Sequence, residues 1–281
     1  MLADRHDWTS PFTSELGLAI TVERALGITV PARATRLRSL LSELSRLSAA
    51  MYFLGGFAEQ REALLNLFAA YSGQRIHLMA ARIGGLAMDA STDWLDELGS
   101  YLDGEFDTTT HRDSAEAHAG LGVLENAASF GVSGPVARAA GIGLDVRFDD
   151  PYDAYPLGER LPVYDTSDAC ARILAMCDSL DASVRIARDL IKQLPDGPIN
   201  VQLPKVVKVP EGAYLAATES AIGVNRYYLV SEAKKSPLRL KIRSASFNNA
   251  SALASALHGA HTEHFPVITK SFFLVPGDID R

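Results

Sequence analysis

The chain has 281 residues, 47 % of them hydrophobic and 22 % charged, a balance that lets it bury a sizeable core. Its net charge of −7 and pI near 5.5 exclude nucleic acid as the main partner, because phosphate binding needs a concentrated basic surface. Its two cysteines, Cys170 and Cys177, exclude a disulfide framework and a self-contained zinc or iron–sulfur site, which takes about four ligands at motif spacing.

After the charged opening ADRHDW, the spacing of apolar residues predicts a helix over roughly 11–26 that stops at Gly27. From Pro31 to about Gly55, Leu37, Leu40, Leu41, Leu44, Leu47, Met51 and Leu54 recur at intervals of three and four, one buried stripe of a long helix with Pro31 in its first turn. A third helix, roughly 59–72, stops at Gly73. Three helices with short connections predict a bundle. The apolar run AAMYFLGGFA at 49–58 is far short of the ~20 residues that span a bilayer. Thr92 or Asp93 is placed to cap a further helix, and Asp113 with Glu116 resembles a capping box.

Residues 131–158 carry five glycines and three prolines yet are too apolar for a disordered linker, so an ordered irregular crossing is expected, functional or wrapped on a partner. Asp168–Leu194 reads as a long helix that places both cysteines on one face as core packing, ended by Pro195, Gly197 and Pro198. Short strands are expected at about 205–209, 214–218, 226–231 and 238–243, then a helix near 249–259 and a tail, FFLVPGDIDR. The expected fold is mainly α: a helical bundle core with a small antiparallel β-sheet in the C-terminal third. Residues 1–130 would carry the bundle and 131–281 the crossing, long helix, sheet and tail, the two parts packed as one domain. No internal repeat or low-complexity segment breaks the pattern.

No phosphate-binding loop, dinucleotide fingerprint, nucleophile elbow or zinc-protease helix is present. His258, His261 and His264 lie three apart, which a helix could aim to one side, but no carboxylate or thiol pattern completes a metal site. Arg239, Lys241 and Arg243 alternate with Leu238, Leu240 and Ile242, so one strand carries cations on one face, a solvated face on the simplest reading. Residue chemistry alone yields a fold class and no reaction.

Several segments in order resemble one family. VERALGITVPARATRLRSLLSELSRL at 22–47 is similar to that family's Glu-x-x-x-Gly-Ile-x-Val-Pro-x-Arg-Ala start and long helix with Arg38, Glu43 and Arg46. SGQRIHLMAARIGG, GVSGPVARAAGIGLDVR, PYDAY, YYLVS, RLKIRSASF and PGDIDR match later segments. The family is the 49-kDa-type, or D-type, subunit of NADH-quinone oxidoreductase (respiratory complex I), itself related to the large subunit of nickel-iron hydrogenases. A hydrogenase would need two Cys-x-x-Cys pairs near opposite ends, whereas Cys170 and Cys177 are both internal.

The resemblance implies a subunit that binds no cofactor itself. With an iron–sulfur small subunit holding a 4Fe-4S cluster, and with membrane subunits, it forms the chamber where quinone, the substrate, receives electrons. It implies a peripheral position on the cytoplasmic side of the cell membrane. ADRHDW resembles the family's Leu-Asp-Arg-x-Asp-Tyr segment, which there follows an N-terminal sheet domain with a His-Pro-x-x-His-Gly motif. Against that pattern the chain reads as a remainder.

In the family the tyrosine of this segment and the histidine of the preceding domain bind the quinone head, and Trp8 stands at the tyrosine position. An indole N–H can donate a hydrogen bond but does not readily give up a proton. Arg5 and His77 match an arginine and a histidine beside the partner's cluster. The family's Asn-His in the long helix is Ala49-Ala50, its Pro-Lys-Gly-Glu loop is Ala221, Ile222, Gly223 and Val224, and its Gly-His is Gly259-Ala260. Two aspartates have become His264 and Phe273. The expected site is therefore Trp8 for quinone, with Arg5 and His77 near the cluster. The other expectation is a degenerate, non-catalytic paralogue that serves as scaffold or assembly partner.

Overall fold

The computed structural model describes residues 3–155 and 158–280. Arg281, the last residue of the PGDIDR match, and residues 156–157 of the glycine-rich crossing lie outside the described residues. Helix α1 spans Pro11–Leu26 and ends where Gly27 takes a left-handed φ of 63° and its N–H turns back to the carbonyls of Glu23 and Arg24, a geometry that favours glycine. Helix α2 spans Ala32–Leu54, with Pro31 one residue ahead of the first turn, and α3 spans Ala58–Ser72. A two-residue hairpin, β1 (Ala81–Arg82) with β2 (Gly85–Leu86), follows. Helix α4 spans Thr92–Leu102, and its cap is Ser91, whose hydroxyl accepts the Trp94 N–H; neither Thr92 nor Asp93 does this.

Helix α5, Thr109–Ala115, begins four residues before Asp113. Asp113 is therefore interior to a helix, and the capping box with Glu116 is not formed. The crossing is broken by two short helices, α6 (Gly134–Ala139) and α7 (Val146–Asp149). Gly134 sits at φ +64°, and a Cβ there would lie 2.5 Å from the Ile222 carbonyl oxygen, so the crossing is held tightly against the turn of the later sheet. Helix α8 spans Ala169–Lys192; Asp168 caps it by accepting the Ala171 N–H at 2.8 Å and also takes the Gly120 N–H at 2.7 Å.

Strands β3 (Gly212–Ser220), β4 (Gly223–Ser231) and β5 (Arg239–Arg243) form an antiparallel sheet in the order β3-β4-β5. The expected strand at 205–209 is not a strand. Helix α9 spans Ala245–Leu257, starting earlier than the expected 249 because Ser244 caps it; α10 (Phe265–Lys270) and α11 (Pro276–Ile279) finish the chain. The protein is mainly helical with a small antiparallel sheet in the C-terminal third.

Helices α2 and α8 pack along each other at the centre, α1 lies on β3, and the sheet closes one side. The centre is not purely apolar. Arg147 of α7 donates to Glu43 of α2 at 2.8 Å and to Asp145 at 2.7 Å, while the Ser183 hydroxyl of α8 donates to the other Glu43 oxygen at 2.7 Å. Arg38 is paired with Glu23 at 2.6 Å and fully buried. Burying charge is costly unless it is paired and hydrogen-bonded, and these groups are. Their pairing explains why an irregular, glycine-rich segment holds one conformation: Arg147 anchors it inside the protein.

Candidate functional site around Trp8

The segment before α1 is built by its own side chains. The buried Asp7 carboxylate accepts the Thr9 and Ser10 N–H groups at 3.1 and 3.2 Å and the Thr9 hydroxyl at 2.5 Å, which turns the chain into α1. Burial, with Asp278 nearby, pushes Asp7 up to about 6. His6 Nδ1 lies 2.6 Å from the Asp278 carboxylate of α11, and His6 Nε2 lies 3.2 Å from the Tyr227 hydroxyl of β4. The first residues, the sheet and the last helix are thus tied at one point.

Trp8 projects from this clasp. Its ring meets Tyr52 edge-on at 4.9 Å, Tyr52 meets Phe53 at 5.3 Å, and Phe53 meets Phe273 at 5.5 Å. These rings, with Thr9 and Lys270, line a cleft of about 300 Å³. Tyr52 is 46 % exposed, and the Arg61 guanidinium lies 5.3 Å from its ring centre. Among the described residues, neither the Trp8 indole N–H nor the Tyr52 hydroxyl has a hydrogen-bond partner within the chain. The cleft therefore offers flat aromatic walls and polar hydrogens without a mate.

Arg5 stands a short way back along the same segment, and His77, on the loop between α3 and β1, joins it through Asp4. His77 Nδ1 is 3.0 Å from one Asp4 oxygen, an ion-pair distance without hydrogen-bond alignment, and Arg5 Nε is 3.7 Å from the other. Asp4 is buried, His77 keeps a fifth of its side chain in solvent and Arg5 half. The structure therefore brings Arg5 and His77 to one carboxylate and sets Trp8 apart, on the aromatic cleft. Sequence reasoning missed Asp4, Tyr52 and Lys270. Only the Tyr52 position, inside a run otherwise filled with apolar residues, offered a local signal.

Several of the positions that depart from the family pattern are buried in the frame here. Ala49 and Ala50 are buried in α2, Phe273 is buried against Phe53, and Ile222 and Val224 lie buried at the β3–β4 turn. His258, His261 and His264 do not share a helix face, because α9 ends at Leu257, His258 and His261 lie outside any helix, and His264 closes a separate 3-10 turn, Thr262–His264. Among the described residues no group of three or more metal-binding side chains forms. Cys177 is buried on α8, and burial pushes its thiol up to about 12, which disfavours the thiolate a cluster requires. The two cysteines do not fit an iron–sulfur centre. No helix of the described residues is long and apolar enough to cross a membrane.

The sequence matches the family described as respiratory-chain NADH dehydrogenase, 49 Kd subunit, over residues 47–208 and 203–281. It is 40 % identical to a D-type NADH-quinone oxidoreductase subunit of Streptomyces coelicolor, covering 100 % of this chain and 81 % of that protein. It is 31 % identical to the D-type subunit of Clostridium beijerinckii, covering 99 % and 82 %. Among solved structures it superposes on a chain of the membrane-bound sulfane sulfur reductase, an archaeal respiratory membrane complex, with a TM-score of 0.88 and 29 % identity over 100 % of this chain and 84 % of the other. With the whole length matched in sequence and in fold, this chain belongs to the 49-kDa subunit family of NADH-quinone oxidoreductases.

Proposed function

We propose that this chain is a peripheral subunit of a complex-I-like NADH-quinone oxidoreductase and forms part of its quinone-reduction chamber, on the cytoplasmic side of the membrane. The observation that carries this reading is the edge-on pair of Trp8 and Tyr52 at the cleft of about 300 Å³. Aromatic faces suit a planar quinone ring. A quinone oxygen gains negative charge on reduction and needs donors at hydrogen-bond distance.

Each residue then has a task. The Trp8 indole stacks on the head group or donates to one oxygen. Tyr52 supplies the exchangeable phenolic proton that Trp8 lacks, so the tyrosine function is kept on α2 and not at position 8. Lys270 adds a positive charge toward the developing anion. Electrons reach the quinone from a 4Fe-4S cluster held by an iron–sulfur small subunit, and membrane subunits complete the assembly. Arg5 and His77, held by Asp4 and open to solvent, face that partner, and the Arg5 guanidinium tunes its cluster through its charge.

The test uses the purified assembly and a water-soluble short-chain quinone. Trp8→Ala is expected to raise KM about tenfold, the equivalent of ~1.4 kcal/mol of binding, with Trp8→Phe intermediate. Unchanged KM in both would remove the cleft from the reaction. The buried, apolar Ala49, Ala50 and Phe273 support a second reading, a non-catalytic scaffold or assembly partner. In that case the assembly forms normally and quinone turnover is insensitive to every cleft variant.

A further inference from the structure

The quinone reading leaves the basic strand unused. Residues 205–243 hold eight Lys or Arg against three Glu, in a chain of net charge −7, and seven of those eight cations are exposed. Two of them, Arg239 and Lys241, lie on β5, the last strand of the order β3-β4-β5, and among the described residues no strand pairs with its far side. The register sets Lys241 beside Tyr228 and Leu240 beside Leu229. Lys241 therefore shares the outer face with the exposed Tyr228, and Leu240 shares the opposite face with the buried Leu229.

That opposite face is not filled. Leu229, Leu240 and Pro237, with Leu18 and Val22 of α1, wall a mainly apolar cavity of about 470 Å³, larger than the Trp8 cleft, with Asp4, Glu15, Arg82, Lys234 and Lys235 also on its lining. Leu240 is 39 % exposed at its rim. One edge thus combines cations on one face with an apolar cavity on the other.

We propose that the β5 edge docks an extended segment of a partner polypeptide in which acidic and apolar residues alternate, added as a fourth strand. Side chains two residues apart on a strand are separated by about 6.7 Å and point the same way. Carboxylates on alternate residues of the added strand then meet Arg239 and Lys241 across the ladder, and the intervening apolar side chains enter the cavity past Leu240. Strand addition gives affinity through the main chain and specificity through such alternate pockets. A lipid surface would meet the outer face alone, without register, and would leave the cavity unfilled. This inference does not depend on the quinone reading.

The probe is a fluorescent synthetic peptide alternating Glu with Val, followed by anisotropy on the purified assembly. Binding is expected, weakening with added salt, and abolished when alternate backbone nitrogens of the peptide are methylated. Arg239→Glu with Lys241→Glu, both at exposed positions, is expected to weaken it at least about tenfold without lowering the melting temperature. Leu240→Asp is expected to weaken it comparably by charging the cavity rim. Absence of peptide binding overturns the proposal, and so does binding that neither set of variants changes. If the assembly instead sediments with phosphatidylcholine–phosphatidylglycerol vesicles and ignores the peptide, the edge is a membrane contact and the proposal fails. A β5 whose cations only keep other strands from pairing would show neither interaction.

Discussion

Two polar regions of this protein differ in how completely they are closed. Around Glu43, Arg147, Asp145 and Ser183, charge is buried at the centre and these four groups are paired: Arg147 bridges Glu43 of α2 and Asp145 at the start of α7, and Ser183 of α8 holds the other Glu43 oxygen, with bonds of 2.7–2.8 Å. Around the cleft, Trp8 and Tyr52 meet edge to face, Arg61 lies over the Tyr52 ring, and the indole N–H and phenol O–H have no mate among the described residues. A closed network determines conformation, because removing one partner leaves an uncompensated charge. An open one is available to a ligand. The difference separates residues that hold the frame from those left open to a ligand, which family membership alone does not.

Substitutions break or sharpen this contrast in order of size. Arg147→Met removes the cation shared by Glu43 and Asp145 and is expected to cost about 3–5 kcal/mol, read as a melting temperature lower by about 5–8 °C and loss of the assembly. A drop of only a degree or two would mean that the central network is not closed. Tyr52→Phe removes the phenolic proton and little volume. It is expected to lower quinone-dependent kcat by about a hundredfold, with KM and melting temperature nearly unchanged. A shift in KM alone would make Tyr52 a wall and not a proton source. Trp8→Ala is expected to act mainly on KM, as described above.

A smaller effect comes from Glu15, which burial pushes up to about 8 against the lowering pull of its hydrogen bond from the Ala80 N–H. Its folded-state value lies above the unfolded one, so the folded form holds the proton more tightly. Its contribution is fully present below the unfolded value near 4.5 and is lost as pH rises to 8. Melting temperature is expected to fall across this window, and Glu15→Gln is expected to flatten the fall. An identical slope in the variant would assign the effect to other buried acids such as Asp153 or Glu219, which burial raises to about 7. Smallest of all, Arg24→Ala breaks an exposed pair with Asp150 and is expected to change stability by less than about 1 kcal/mol.

The sequence made the long elements legible and the short ones not. Helices α1, α2, α3 and α8 announce themselves through periodic Leu and Ala and through Gly27, Gly73 and Asp168 at their ends, all local signals. The two-residue strands, α6 and α7 are fixed by distant contacts: Gly134 against Ile222, and Arg147 against Glu43. No window of neighbouring residues contains those pairs. The stretch at 205–209 carries three valines but finds no ladder, so its composition alone overstates it. For the site, the resemblance put forward Trp8, Arg5 and His77. The partners that give them meaning, Tyr52 at 44 positions' distance from Trp8 and Asp4 against His77, appear only once the chain is folded.

The most direct test of the open cleft is photolabelling of the native assembly with an azido-quinone, followed by mapping of the tryptic peptides of this chain. Label on residues 6–24, which carry Trp8, or on 47–61, which carry Tyr52, displaced by excess short-chain quinone, is the predicted result. Displaceable label confined to other subunits, with both peptides clean, would contradict the account and leave this chain a scaffold.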